Sequence, residues 1–188
     1  MNALTLVYDS LGDVLNYPYE GYREKAVECL KRMHDAHPEM ENLLAPFMSY
    51  LEKAKDAELE ELYVKTFDVQ AICCLDVGYL LFGEDYKRGQ FLATIKAMQA
   101  DHGIDTKSDL ADFLPTILKL LTKLNFSDAT SLAHNAVVPA LAKMLNGFSE
   151  KGNVFQYPLM VLKQILEKDY GKCDVSWVMN QPGKTVCA

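Results

Sequence analysis

The 188-residue chain lacks any run of about twenty uncharged apolar residues, the length that crosses a bilayer. Its most apolar window, Val69 to Phe82, is interrupted by Asp76. The start, Met1 to Asp9, has no basic stretch ahead of its apolar residues and reaches an acid before a signal-peptide core can form, so neither export nor membrane insertion is expected. Cys-x-x-Cys is absent, and the five cysteines (Cys29, Cys73, Cys74, Cys173 and Cys187) are odd in number, which argues against a disulfide framework or a zinc knuckle and suits a reducing cytoplasm. There is no Walker sequence, dinucleotide GxGxxG, HExxH or DxDxDG loop. Positive charge is the scarce sign: 19 Lys and Arg stand against 26 Asp and Glu, giving −7. That balance disfavours nucleic acid, whose binders neutralise phosphates, and favours basic partners. No repeat, low-complexity tract or long linker divides the chain.

What remains is an ordinary globular composition, 49% apolar and 24% charged, in a length that fits one domain with a self-sufficient core. Apolar residues recur at three- and four-residue spacing almost throughout. Leu4, Tyr8, Leu11 and Leu15 form a first stripe, and Tyr22, Ala26, Cys29, Leu30 and Met33 a second. Pro38 suits the first turn of a third helix. Asp56 is placed to cap a fourth carrying Leu59, Leu62, Tyr63, Thr66 and Phe67. After an irregular stretch, roughly Glu84 to Asp101 reads as a helix that Gly103 ends. Ser108 or Asp109 opens a region through Leu124, Ser127 or Asp128 caps a long helix to about Phe148, and Asn153 or Gln156 starts the last, ending at Gly171. Pro46, Pro115, Pro139 and Pro158 each start or kink a helix. Only Val175 to Val178 looks strand-like. The expectation is an all-α bundle of roughly eight to eleven helices over residues 1–171. Residues 172–188, with Pro182-Gly183, form a mobile or loosely docked tail.

Catalytic and metal constellations are thin. His34 and His37 lie one helical turn apart, but the helix dipole explains two histidines near a C-terminus without a metal. His134 near Ser131 and Asn135 lacks a nucleophile elbow. Cys73-Cys74, flanked by Ile72 and Leu75, reads better as buried thiols than as a redox pair. A thiol-based sensor or enzyme is the rival from that class, and a plain helical adaptor is a second. In Gly83 to Gly89, acids occupy the positions that would face an anion.

The central stretch is more informative. Tyr63 and Phe67 fall four apart on one helical face, followed by Asp68, an acid opposing the dipole and therefore in need of a donor. Glu84 and Arg88 sit at i,i+4 in the favourable orientation. Asp109 and Asp112 precede Phe113 and Pro115. Each has a bland explanation: aromatic core, salt bridge, helix cap. Together they place acids and an arginine around apolar loops, as a recognition surface for a helical basic peptide would require.

At these residues the chain resembles the maturation chaperones of molybdenum oxidoreductases, the TorD/DmsD/NarJ family, and most of all the NarJ type, the nitrate reductase delta subunit. The family's YxxTFD corresponds to Tyr63, Thr66, Phe67 and Asp68. Its HGEsxxRGxA resembles Phe82-Gly83-Glu84-Asp85-Tyr86-Lys87-Arg88-Gly89-Gln90-Phe91, and its ELPDhLPxxLxfL resembles the stretch from Asp109 through Asp112, Phe113 and Pro115 to Leu121. Leu11, Leu15 and Tyr17-Pro18 are similar to the close of the family's first helix. Order and spacing agree from about residue 4 to 170. Ala111 stands where the family usually has Pro, and Phe113 where it commonly has His.

The resemblance implies about ten helices and a non-catalytic cytoplasmic chaperone, monomer or dimer. Such a protein binds the N-terminal segment of a molybdoenzyme catalytic subunit and keeps the apoenzyme competent for its molybdenum bis(pyranopterin guanine dinucleotide), carrying no cofactor itself. The client would be a nitrate reductase of respiration or assimilation, or another dimethyl sulfoxide reductase-family enzyme. The implied client-binding residues are Tyr63, Phe67, Asp68, Glu84, Arg88, Asp112, Phe113 and Pro115.

Overall fold

A computed structural model describes residues 3–69, 71–105, 109–148 and 152–179. The chain is all-α, and the described residues include no strand. The helices are α1 (Ala3–Val14), α2 (Tyr22–Ala36), α3 (Glu41–Lys53), α4 (Asp56–Phe67), α5 (Val77–Phe82), α6 (Tyr86–Asp101), α7 (Leu114–Leu121), α8 (Phe126–Leu132), α9 (Val138–Gly147), α10 (Gln156–Tyr170) and α11 (Ser176–Met179). A 3-10 turn, Pro38–Met40, leads into α3, and a π turn, Ala133–Val137, joins α8 to α9. Pro139 explains the widened turn, because it cannot donate to the carbonyl four residues back.

The periodic stripes become the core. In α2 the buried residues are Tyr22, Ala26, Cys29, Leu30 and Met33, the set that the spacing selects. α1 packs between α2 and α7, and α10 lies against α9, α3 and α1. α7 is the most enclosed element, with Leu114, Ile117, Leu118 and Leu120 fully buried. Gly103 (φ +66°) and Gly171 (φ +87°) adopt the left-handed backbone that ends α6 and α10.

Several boundaries differ from the sequence expectation. α7 starts at Leu114, with Phe113 in the capping position and Pro115 in the first turn, not at Asp109. The residues before it pair with another loop instead, as described below. α8 is capped by Asn125, whose side chain accepts from the Asp128 N–H at 3.0 Å, so neither Ser127 nor Asp128 is the cap. Asp56 is the first residue of α4 rather than its cap, and the Glu58 carboxylate folds back onto the Lys55 N–H at 2.7 Å. The stretch expected to be irregular contains α5. The stretch Val175 to Val178 is no strand, and from Ser176 it is helical: the Asp174 carboxylate accepts from the Ser176 N–H at 2.8 Å, and Val178 is buried in α11 against α9. The side chain of Leu4, together with Ser108, Pro182-Gly183 and Cys187, lies outside the described residues.

Candidate functional site

Two loops and one helix meet at Arg88. The segment Leu75–Val77 runs antiparallel to Asp112–Leu114: the Val77 N–H donates to the Asp112 carbonyl and the Leu114 N–H to the Leu75 carbonyl, both at 2.9 Å. Beside this bridge α6 presents Arg88 and, three turns on along the same face, Gln99. Arg88 Nε donates to Asp112 Oδ2 at 3.3 Å, and its Nη2 lies 3.5 Å from Asp76 Oδ2. The guanidinium sits 5.1 Å from the centre of the Tyr79 ring. Gln99 Nε2 donates to the Ala111 carbonyl at 2.9 Å. Asp112 is 0% exposed, so one arginine holds a wholly buried carboxylate and a second, partly buried one.

Glycine makes the approach possible. A Cβ on Gly78 would lie 2.8 Å from both Asp112 Oδ2 and Phe91 Cδ1. Asp112 is wholly buried and held by Arg88, so its carboxylate is not free to swing away. Gly78→Ala should therefore cost about 1–3 kcal/mol of stability, read by urea unfolding. A loss under about 0.5 kcal/mol would show that the cluster is looser than these distances imply.

Two carboxylates share one cation, and Asp76 shows the consequence. Burial pushes its pKa above the usual carboxylate range, Asp112 adds to the rise, Arg88 opposes it, and Asp109 contributes further. The folded state therefore binds the Asp76 proton more readily than the unfolded chain. Its ionised form weighs against folding at neutral pH, and that penalty fades as pH falls through the raised pKa. Relative to Asp76→Asn, the wild type should gain stability between pH 7 and about 4. Unfolding titrations at both pH values check the direction.

A second cluster centres on Tyr63. Its hydroxyl donates to the Leu15 carbonyl at 3.2 Å, and its ring packs on Tyr17, Phe67 and Phe155 with centroids 5.4, 5.0 and 5.7 Å away. Thr66 accepts from Asn153 Nδ2 at 2.7 Å. The Tyr-x-x-Thr-Phe pattern thus clamps α4 to the start of α10. Burial raises the Tyr63 phenol pKa, and the carboxylates of Asp109, Asp68 and Asp76 add to the rise. At the surface the same loops carry exposed Val69 and Leu110, while Tyr17 donates its hydroxyl to Glu60 at 3.1 Å.

The eight expected site residues divide accordingly. Arg88 and Asp112 come together, but Arg88 pairs with Asp112 and Asp76 and not with Glu84, which is exposed. A carboxylate 24 residues away wins because it is desolvated, whereas Glu84 would remain in water. Asp112 braces the start of α5 through its carbonyl and does not cap α7. Tyr63 and Phe67, at 7% and 8% exposure, are core residues and offer no open apolar face. Pro115 is buried against Gly12 of α1. Phe113 is half-buried in the bridge, and Asp68 is exposed with no ion pair among the described residues. Sequence reasoning passes over Asp76, Gly78, Gln99 and Asn153 as site residues. Asp76 alone carries a signal, as the one charge inside the most apolar window.

The remaining candidates have local explanations. His34 and His37 approach Glu41 and Glu39 at 3.6 and 3.3 Å, and the described residues contain no group of three metal-ligating side chains. Ser131 and His134 bond separately, to Asn135 and to the Gly171 carbonyl. Cys73 and Cys74 are buried. No helix among the described residues is long and apolar enough to cross a membrane. Comparison of the chain with known protein families and with curated proteins gives no match in either case.

Proposed function

We propose that this chain is a cytoplasmic chaperone of the NarJ type, which binds the N-terminal segment of a molybdoenzyme catalytic subunit and holds the apoenzyme ready for its molybdenum cofactor. One observation carries the reading. Two stretches that resemble separate motifs of the family meet in space: Arg88 from one pairs with the wholly buried carboxylate of Asp112, 24 residues on in another.

The chemistry required of such a chaperone is modest. It needs no nucleophile and no cofactor of its own, only a rigid frame presenting apolar surface and negative charge to a basic segment. The Arg88 cluster supplies rigidity by locking α5, α6 and the start of α7 together. The net charge of −7 favours encounter with a basic partner by steering. Because Tyr63 and Phe67 lie inside the core, they shape this frame rather than touch the client. A nitrate reductase is the client favoured by the motifs, ahead of other dimethyl sulfoxide reductase-family enzymes.

The test is cofactor loading in cells. Without the chaperone, the client's catalytic subunit should accumulate poor in molybdenum, and the wild-type chain supplied in trans should restore it. Full loading of every molybdoenzyme in cells lacking the chain would reject this function.

A further inference from the structure

With Tyr63 and Phe67 enclosed, apolar surface for a partner must be sought elsewhere, and a groove of about 580 Å³ between α2 and α3 offers it. Leu30 and Leu44 lie at its bottom, while Ala45 and Met48 line it nearer the solvent. Three carboxylates, Asp35, Glu41 and Glu52, stand along it with one lysine, Lys31, and with His34, whose ring nitrogen lies 3.6 Å from Glu41. Its α3 wall runs from Glu41 to Glu52, three turns or about 16 Å at 1.5 Å per residue. That length matches a helix of some eleven residues with apolar anchors at i, i+3 or i+4, and i+7. The half-exposed thioether of Met48 adapts to whatever side chain meets it.

We propose that this groove is the docking site for a short amphipathic helix of another protein, with its apolar stripe on Met48 and Ala45 and a lysine or arginine near each end. One cationic end faces Asp35 and Glu41, and the other faces Glu52. The acidic surplus disfavours an acidic helix or a nucleic acid. The proposal rests on the chaperone reading for the identity of the helix, the client's N-terminal segment, and adds where that segment lies.

The experiment uses the full chain, isotope-labelled for NMR, and two probes at low and high salt. One is a set of synthetic peptides covering about 25 residues from the N-termini of the cell's molybdoenzyme catalytic subunits. The other is a designed Leu/Ala/Lys helix of about 15 residues, long enough to hold helical structure when bound. Shifts should concentrate in α2 and α3. Met48→Asp should weaken binding at least about tenfold, and Glu52→Lys, an exposed change that leaves the core alone, should weaken it severalfold and reduce its salt dependence. Client peptides that bind with shifts elsewhere, or equally well to both variants, would overturn the groove while leaving the chaperone reading intact. Binding of the designed helix alone, in the groove, would uphold the docking site and reject the client. Failure of both probes to bind would overturn both.

Discussion

Arg88→Ala should destabilise the protein by about 3–5 kcal/mol, the usual cost of removing one partner from a buried ion pair. The reason is what stays behind. Asp112 is fully enclosed, its carbonyl holds the start of α5, and Gly78 packs against its carboxylate. Without the guanidinium, that charge has no cation and Asp76 lies nearby to repel it. For a chain of this size such a loss lowers the melting temperature by roughly 6–20 °C. Arg88→Lys should recover only part of it, because an ammonium cannot span two carboxylates as a planar guanidinium does. Arg88→Met combined with Asp112→Asn should recover more than Arg88→Lys, since the orphan charge is gone. Calorimetric melting of the four proteins decides the matter. A single-variant loss under about 1 kcal/mol would mean that the cluster holds nothing together.

Gly147→Ala is the second large effect. At the end of α9 a Cβ would come within 2.6 Å of the Ile72 carbonyl oxygen. The obstacle is backbone, in the segment where the Cys73 N–H bonds the Thr66 carbonyl at 3.1 Å, so it cannot turn aside as a side-chain tip would. The expected cost is about 2–3 kcal/mol. Gly89→Ala gives the opposite sign. That glycine lies on the exposed side of α6, where an added methyl group would meet nothing within 4 Å, and alanine should gain up to about 1 kcal/mol through helix propensity. Urea unfolding of both variants checks the contrast. Equal effects would show that close packing at Gly147 is not what the carbonyl distance implies.

The helical architecture was legible because burial and spacing express the same constraint. The stripe Tyr22, Ala26, Cys29, Leu30, Met33 could be read directly, since only one face of α2 meets the core. Boundaries were less legible where a local signal competes with a distant one. Asp109 looks like a helix cap in isolation, yet the residues that follow pair with Leu75–Val77, and Pro115 sets the helix start. Val175 to Val178 has the composition of a strand, but Asp174 caps it into a helical turn.

The candidate site was legible as residues and not as geometry. Arg88 and Asp112 stand out as chemically unusual, but nothing local shows that the arginine turns away from Glu84 towards a carboxylate on another loop. The same holds for Tyr63 and Phe67. An aromatic pair four apart marks a helix face without saying whether that face meets solvent or Phe155. Gln99 was invisible and Asn153 was legible only as a helix start, because a polar residue bonding across the fold carries no periodic signature.

The proposed chaperone function requires that the chain recognise a basic, apolar-anchored N-terminal segment of a molybdoenzyme catalytic subunit. Titration calorimetry of the full chain with synthetic peptides for those segments tests it most directly. Exposed ion pairs contribute only about 0–1 kcal/mol each, so raising the salt should weaken binding modestly. Replacing one large apolar anchor of the peptide with alanine should cost about 1–3 kcal/mol. A peptide that binds with this pattern supports the chaperone function. No binding by any of the peptides, or binding indifferent to the loss of the anchors, would contradict it.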